Sequence, residues 1–275
     1  LPGMVGDLQR QIPIIDKRSF RAKNKPFEPI GTVKTQVGLL LGCIMPLVQT
    51  STMEATVRVL THNGCRVIVP PNQVCCGAMN LHGGDRLRAQ DMARRNVDTF
   101  LDADISALIV SSAGCGSTMK EYGDLLANDP AYSEKAKYLS SIVMDVTEYL
   151  AYLPFKSPTK SLFMKVTYQD PCHLAHAQRI KSEPRDILRS IPGLQLIEME
   201  NPDRCCGAAG LYSLLQREMS NRLLSDRMES VAYTKAEIVV TANPGCMIQF
   251  EGGFKKDGKK IRVCHVVDLL DEAYE

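Results

Sequence analysis

The sequence predicts an α/β protein made of two tandem, pseudo-repeated domains, each a mainly parallel, doubly wound sheet with helices on both faces. Three observations lead there. A four-cysteine pattern occurs twice at a nearly constant offset, the segments between those cysteines alternate between strand-like and helix-like patterns, and 275 residues with 44% hydrophobic content suffice for two cores.

The repeat comes first because it fixes the architecture. Cys43 is matched by Cys172, 129 residues on, and the vicinal pair Cys75 and Cys76 by Cys205 and Cys206 at an offset of 130, each pair followed by Gly-Ala. Cys115 is matched by Cys246 at an offset of 131, and each follows a glycine. Chance would rarely keep four positions in step over such distances.

Within the first copy, Gln36 to Leu41 reads as a buried strand ending at Cys43. Met53, Val57 and Leu60 follow helical spacing between Thr50 and His62, and Gly64 supplies a stop. Arg66 to Val69 reads as a second strand, closed by Pro70 and Pro71 and leading to Cys75. A helix is expected over Asp85 to Leu101, where Ala89, Met92, Ala93, Asn96, Val97 and Phe100 recur at helical intervals. Ala107 to Ser111 is a third strand with Cys115 just beyond it, followed by a helix from about Ser117, a short strand near Ile142 and a helix begun at Asp145. The second copy shows strands at Lys165 to Gln169, Leu194 to Ile197 and Glu237 to Thr241, and helices at about Leu211 to Val231 and Val266 to Ala273. Each motif cysteine thus falls just past the carboxyl end of a strand, the edge where open α/β sheets bind ligands, so three loops can converge on one site.

Domain limits follow at 34–155 and 156–275, with a boundary marked by the prolines and lysines between Pro154 and Lys160. Residues 1–33 read as a linker or docking arm, with Arg10, Lys17, Arg18, Arg21, Lys23 and Lys25 scattered among Pro13, Pro26 and Pro29. A net charge of +2 argues against nucleic-acid binding. The longest apolar run, Val37 to Val48, is interrupted by Gly42, Cys43 and Pro46 and is too short to span a bilayer, which leaves peripheral membrane docking open. The chain opens at Leu1 without a signal-peptide pattern, as expected of a fragment or processed form, and ten cysteines without secretory features suggest ligands or redox groups in the cytoplasm.

Cys43, Cys75, Cys76 and Cys115 are the candidate ligands of one unit, and Cys172, Cys205, Cys206 and Cys246 those of the other. Thiolates are soft donors that hold zinc or iron–sulfur clusters. Zinc sites usually take local Cys-x-x-Cys pairs, of which this chain has none, and long spacings around a vicinal pair suit an iron–sulfur cluster better, with zinc as the alternative. Directing two adjacent side chains at one centre calls for a tight turn, for which Gly77 and Gly207 can supply a positive φ. Cys65 and Cys264 do not pair at the repeat offset and read as core thiols. His173 and His176, beside Cys172, are candidates for tuning a centre or carrying a proton, with a surface or capping role as the alternative. His82 reads as loop packing with a lesser claim to the same role, and His265 stands where the first copy has Asp145, at a helix start. Dinucleotide and Walker-type glycine loops are absent.

The segments LLGCIMP at 40–46, VCCGAMNLHGGD at 74–85, SSAGCGSTMKEYG at 111–123, YQDPCHLAHAQRI at 168–180, RCCGAAGLY at 204–212 and TANPGCM at 241–247 resemble the glycolate oxidase iron–sulfur subunit family. That family lies within the wider group with paired cysteine-rich CCG domains, which includes the cysteine-rich subunit of heterodisulfide reductase. The resemblance covers almost all of residues 36–272. It implies two CCG domains, a 4Fe-4S cluster in one or both, a partner flavoprotein that oxidises glycolate to glyoxylate, and electron transfer towards a quinone or another acceptor. It also implies an upstream ferredoxin-type module, outside these residues, and a glycolate site on another subunit. Where the heterodisulfide reductase subunit has a fifth cysteine per unit, this chain has Thr118 and Gln249, which does not match a five-thiolate noncubane site. The alternatives to electron transfer are a heterodisulfide-reductase-like cluster enzyme acting on disulfides and a zinc-stabilised docking module.

Overall fold

The computed structural model describes residues 13, 15, 18–22 and 25–274; of the basic residues read in the N-terminal stretch, Arg10, Lys17 and Lys23 lie outside these. The chain divides into two compact units, one running to Lys156 and the other from Ser157.

The first unit runs β1 (Thr35–Leu39), α1 (Met45–Val48), α2 (Thr50–His62), β2 (Cys65–Ile68), α3 (Ala78–His82), α4 (Arg86–Leu101), β3 (Ala107–Val110), α5 (Ala113–Lys120), α6 (Tyr122–Leu125), α7 (Ser133–Ile142), β4 (Val143–Asp145) and α8 (Val146–Tyr152). Its strands form one parallel sheet in the order β2-β1-β3-β4, with Val37 opposite both Val67 and Ala107. The strand β3, Ala-Leu-Ile-Val, is buried at every position, as a parallel strand covered on both faces must be. From α4, Ala89, Ala93, Val97 and Phe100 pack into a core with Leu108 and Val110. Phe27 forms an antiparallel bridge to Val67 on the free edge of β2, exchanging N–H···O bonds of 2.9 Å both ways, and so covers that edge strand.

The second unit runs β5 (Lys165–Tyr168), a π-helical turn (His173–Ala177), α9 (Glu183–Ser190), β6 (Gln195–Leu196), α10 (Tyr212–Leu215), α11 (Arg217–Thr234), β7 (Ile238–Thr241), α12 (Pro244–Lys256), β8 (Arg262–His265) and α13 (Val266–Tyr274). Its sheet repeats the first, β6-β5-β7-β8, again all parallel. In both sheets the first strand lies between the second and third, so the winding direction reverses there. The crevice between β1 and β3, or β5 and β7, is the topological switch point where doubly wound sheets place ligands.

Several elements differ from the sequence reading. The helix expected from about Ser117 begins at Ala113, so Cys115 lies within its first turn. The helix read as Leu211 to Val231 is two, and the strand at Leu194 to Ile197 shrinks to two residues. The helices α7, α9 and α12 and the strand β8 complete the units. Pro244 and Gly252-Gly253 disguise α12 as a loop, yet proline suits the first turn of a helix, where its missing N–H has no partner to lose.

Candidate metal centre

In the first unit the loop after β1 carries Cys43, the loop after β2 carries Cys75 and Cys76, and the first turn of α5 carries Cys115. Each thiol acts on the ionisation of the next, Cys43 with Cys75, Cys75 with Cys76 and Cys76 with Cys115. The second unit repeats the series through Cys172, Cys205, Cys206 and Cys246, with the Sγ atoms of Cys206 and Cys246 3.2 Å apart. Thus the structure brings together all eight motif cysteines, four to a unit. Gly77 at φ +82° and Gly207 at φ +88° take the left-handed conformation directly after each vicinal pair, forming the tight turn there.

Ionisation alternates along each row. Hydrogen bonds from Cys43 and Cys76 hold the Cys75 thiol below its ordinary value, and those from Cys172 and Cys206 do the same for Cys205. Cys43 and Cys172 are pushed up, first by sharing a proton with those neighbours and then by burial. Bonds from Cys76 and Cys206 lower Cys115 and Cys246, while Cys76 and Cys206 are themselves raised. Ionising one thiol therefore opposes ionising its neighbour, and a full set of thiolates calls for positive charge beside it. This soft, anionic donor set fits a thiolate-bound metal centre. Among the described residues no group of three or more His, Cys, Asp or Glu is placed to hold a single metal ion. All ten cysteines are free thiols.

Polar side chains fasten these loops. In the first unit Gln73 accepts from the N–H of Leu41 at 2.7 Å and donates to the carbonyl of Leu39 at 3.2 Å, tying the CCG loop to the end of β1. Asn96, wholly buried on α4, accepts from Val74 N and donates to Cys75 O at 3.2 Å, while Tyr122 Oη donates to Cys76 O at 2.8 Å. In the second unit the tie runs the other way: Gln169, at the end of β5, donates to the carbonyls of Pro202 and Arg204. Arg227, 1% exposed, grips the carbonyls of Glu200 and Asn201, and Ser220 donates to Gly207 O at 2.8 Å while accepting from Gln249. Next to these, Arg185 bonds both oxygens of Asp170 and stands 5.0 Å over the Tyr168 ring.

None of Gln73, Tyr122, Gln169 or Arg227 stood out in the sequence as part of the site. Asn96 carried a signal, an amide within the apolar stripe of a helix. Thr118 and Gln249, at the fifth-cysteine places, are buried hydrogen-bonding residues, Thr118 donating to Gly114 O at 3.1 Å. His173 Nδ1 lies 3.6 Å from Cys172 Sγ, His176 Nε2 lies 3.1 Å from Asp203 O, and His82 ends α3 with its side chain exposed. Cys65 and Cys264 are buried within β2 and β8, and burial raises both thiols. His265 is a helix cap: its Nδ1 accepts from Val267 N as the Asp145 carboxylate accepts from Thr147 N.

The family model for the CCG cysteine-rich domain matches residues 37–120 and again 166–251. A Bacillus subtilis protein named probable glycolate oxidase iron-sulfur subunit is 37% identical over 99% of this chain and 63% of its own length. Lactate utilization protein A of the same organism is 30% identical over 86% of this chain and 99% of its own length. This chain therefore spans less than two thirds of the first of these relatives and nearly the whole of the second. A crystal structure of a hypothetical protein from Helicobacter pylori shares the fold, with a TM-score of 0.63 at 13% identity over 93% of this chain and 52% of that one. With two matched domains, each carrying its row of four thiols, this chain belongs to the CCG cysteine-rich domain family.

Proposed function

We propose that this chain is the iron–sulfur electron-transfer subunit of a glycolate-dehydrogenase-like complex. The observation that carries the reading is the pair of four-thiol rows, each at the switch point of its own sheet. Cys43, Cys75, Cys76 and Cys115 would hold one cluster and Cys172, Cys205, Cys206 and Cys246 the other, each of the 4Fe-4S type. A cluster bound there supplies a one-electron carrier whose potential the protein sets through hydrogen bonds to sulfur and through burial. The residues suited to that task are in place: Gly207 N donates to Cys205 Sγ at 3.3 Å and Asn243 Nδ2 to Cys246 Sγ at 3.5 Å. His173 is the candidate beside Cys172 for tuning that centre.

The relatives' names point to a larger oxidoreductase, so the substrate site is assigned to a partner flavoprotein that oxidises glycolate to glyoxylate, with a quinone or another carrier as acceptor. Ten free thiols suit the reducing cytoplasm. Among the described residues no helix is long and apolar enough to cross a membrane, and attachment is assigned to peripheral docking. The test is anaerobic: the full chain is mixed with its flavoprotein subunits and glycolate, and the visible absorption of the clusters is followed. Bleaching with glycolate and not without the flavoprotein is the expected result. Bleaching with lactate alone would reassign the substrate, and no bleaching with either 2-hydroxy acid would overturn the electron-transfer reading.

A further inference from the structure

The two units differ in what covers the helix behind the CCG loop. In the first unit α4 lies under the segment from α6 to α7, which it grips at three successive turns. Gln90 donates to Leu125 O at 3.0 Å, Arg94 pairs with Asp129 at 2.7 Å, and Asp98 accepts from Tyr132 Oη at 2.8 Å. The helix α7 then buries Ala136 and Leu139. At the repeat offset of 131, these three gripping positions become Asn221, Ser225 and Glu229 of α11. Among the described residues the second unit has no covering segment at this point of the fold: residues 257–261 alone lead from α12 to β8. All three equivalents are exposed, and they line one wall of a cavity of about 420 Å³ between α11 and α12. Leu224, Met228, Gly252 and Gly253 form its floor. A Cβ on Gly253 would stand 2.6 Å from Met228 Sδ, so the two helices already touch beneath the groove, which opens outward.

The opposite lip is basic. Lys255, Lys256, Lys259 and Lys260 surround a lone acid, Asp257, which pairs with Lys259 at 3.6 Å. The carboxyl end of α12 offsets roughly half an elementary charge of this excess; Lys256 and Lys259 line the groove beside Asp257, facing Glu229 on the other wall, and the exposed Lys255 and Lys260 flank them.

We propose that the groove between α11 and α12 seats an amphipathic helix with an acidic edge, supplied by a partner subunit. The shape of the occupant follows from the first unit, where the same helix face takes a helix of about three turns with small and branched apolar residues inward. Its charge follows from the lysine lip. An occupant in trans requires that this chain works as a subunit, which rests on the proposed function.

The test measures hydrogen exchange on the full chain alone and with its flavoprotein subunits bound, then titrates those subunits onto two variants. Slower exchange across residues 221–232 and 252–259 in the complex is expected. Ala232→Arg, which projects a charged side chain into the groove from an exposed position, and Lys256→Glu/Lys259→Glu, which reverses the lip, should each weaken binding at least tenfold. Unchanged exchange in the complex, or wild-type affinity in both variants, would overturn the proposal. Protection that appears in the isolated chain as its concentration rises would also overturn it, by naming a second copy as the occupant. Iron and sulfide content on the same samples separates the two readings: cluster-free protein that still shows groove protection counts against electron transfer and for the groove.

Discussion

Behind its vicinal cysteines the first unit places Asn96 and Tyr122, a neutral pair that takes up the carbonyls of Cys75 and Cys76; at the equivalent positions the second unit has Arg227 and Gly253. There Arg227 holds the loop further upstream, at Glu200 and Asn201, and Ser220 takes up the carbonyl of Gly207 instead. The ties between the first two loops are likewise reversed, made by Gln73 from the CCG loop in one unit and by Gln169 from the strand end in the other. The anchors have been rebuilt while the rows of sulfur atoms keep the same series of contacts. A fold needs anchors of some kind; four thiols in one arrangement are what the proposed cluster would need.

The comparison can be broken most forcefully at the thiols. Cys76→Ser and Cys206→Ser should each empty their own unit, halving iron and labile sulfide, with circular dichroism unchanged. Loss of all metal from either single variant would show that the units do not bind independently. The next largest effect separates the two glycines. A methyl at Gly207 would meet Ser220 O at 2.4 Å, whereas at Gly77 the nearest atom, the Ala89 Cα, is 3.3 Å away. Gly207→Ala should therefore cost about 3 kcal/mol or more, and Gly77→Ala, strained by its positive φ and by a milder approach to the Ala89 backbone, about 1 kcal/mol. Urea unfolding that reverses this order would contradict the packing described.

Asn96→Ala removes the partner of Val74 N and Cys75 O from a buried position and should destabilise the first unit by about 2 kcal/mol in thermal unfolding. Metal affinity should fall in that unit and not in the other. A pH dependence belongs to the caps. Burial pushes the Asp145 carboxyl up to about 6 from 3.8, so the folded chain holds this proton more tightly than the unfolded chain does. The stability this contributes is complete below pH 4 and is lost as the pH rises through about 6, on the order of 3 kcal/mol. Asp145→Asn should flatten that slope, and an unchanged slope would remove Asp145 as its source.

Much of this was legible in the sequence because the information was local or periodic. Buried parallel strands are short continuous apolar runs, and the cysteines fall where each run ends, so the repeat alone placed the motif cysteines just past strand ends. The anchors were not legible, because Gln73 to Leu41 or Arg227 to Glu200 is a contact made across a loop that only the folded sheet closes. The helix α12 hid behind Pro244 and its paired glycines, residues that break helices in isolation but here serve as the first turn and as the close approach to Met228. The π-helical turn after Cys172 gave no periodic signal at all. It sends His173 towards the sulfur and His176 towards Asp203, where α-helical spacing would put both on one face.

The central claim, that each row of four thiols holds an iron–sulfur cluster, is tested most directly by iron, zinc and labile sulfide content on protein purified without oxygen, with an EPR spectrum before and after reduction. The account predicts iron and sulfide at about four each per unit and a signal that changes on reduction. Zinc without sulfide, in protein never exposed to air, would contradict it and leave two structural metal sites in place of two electron carriers.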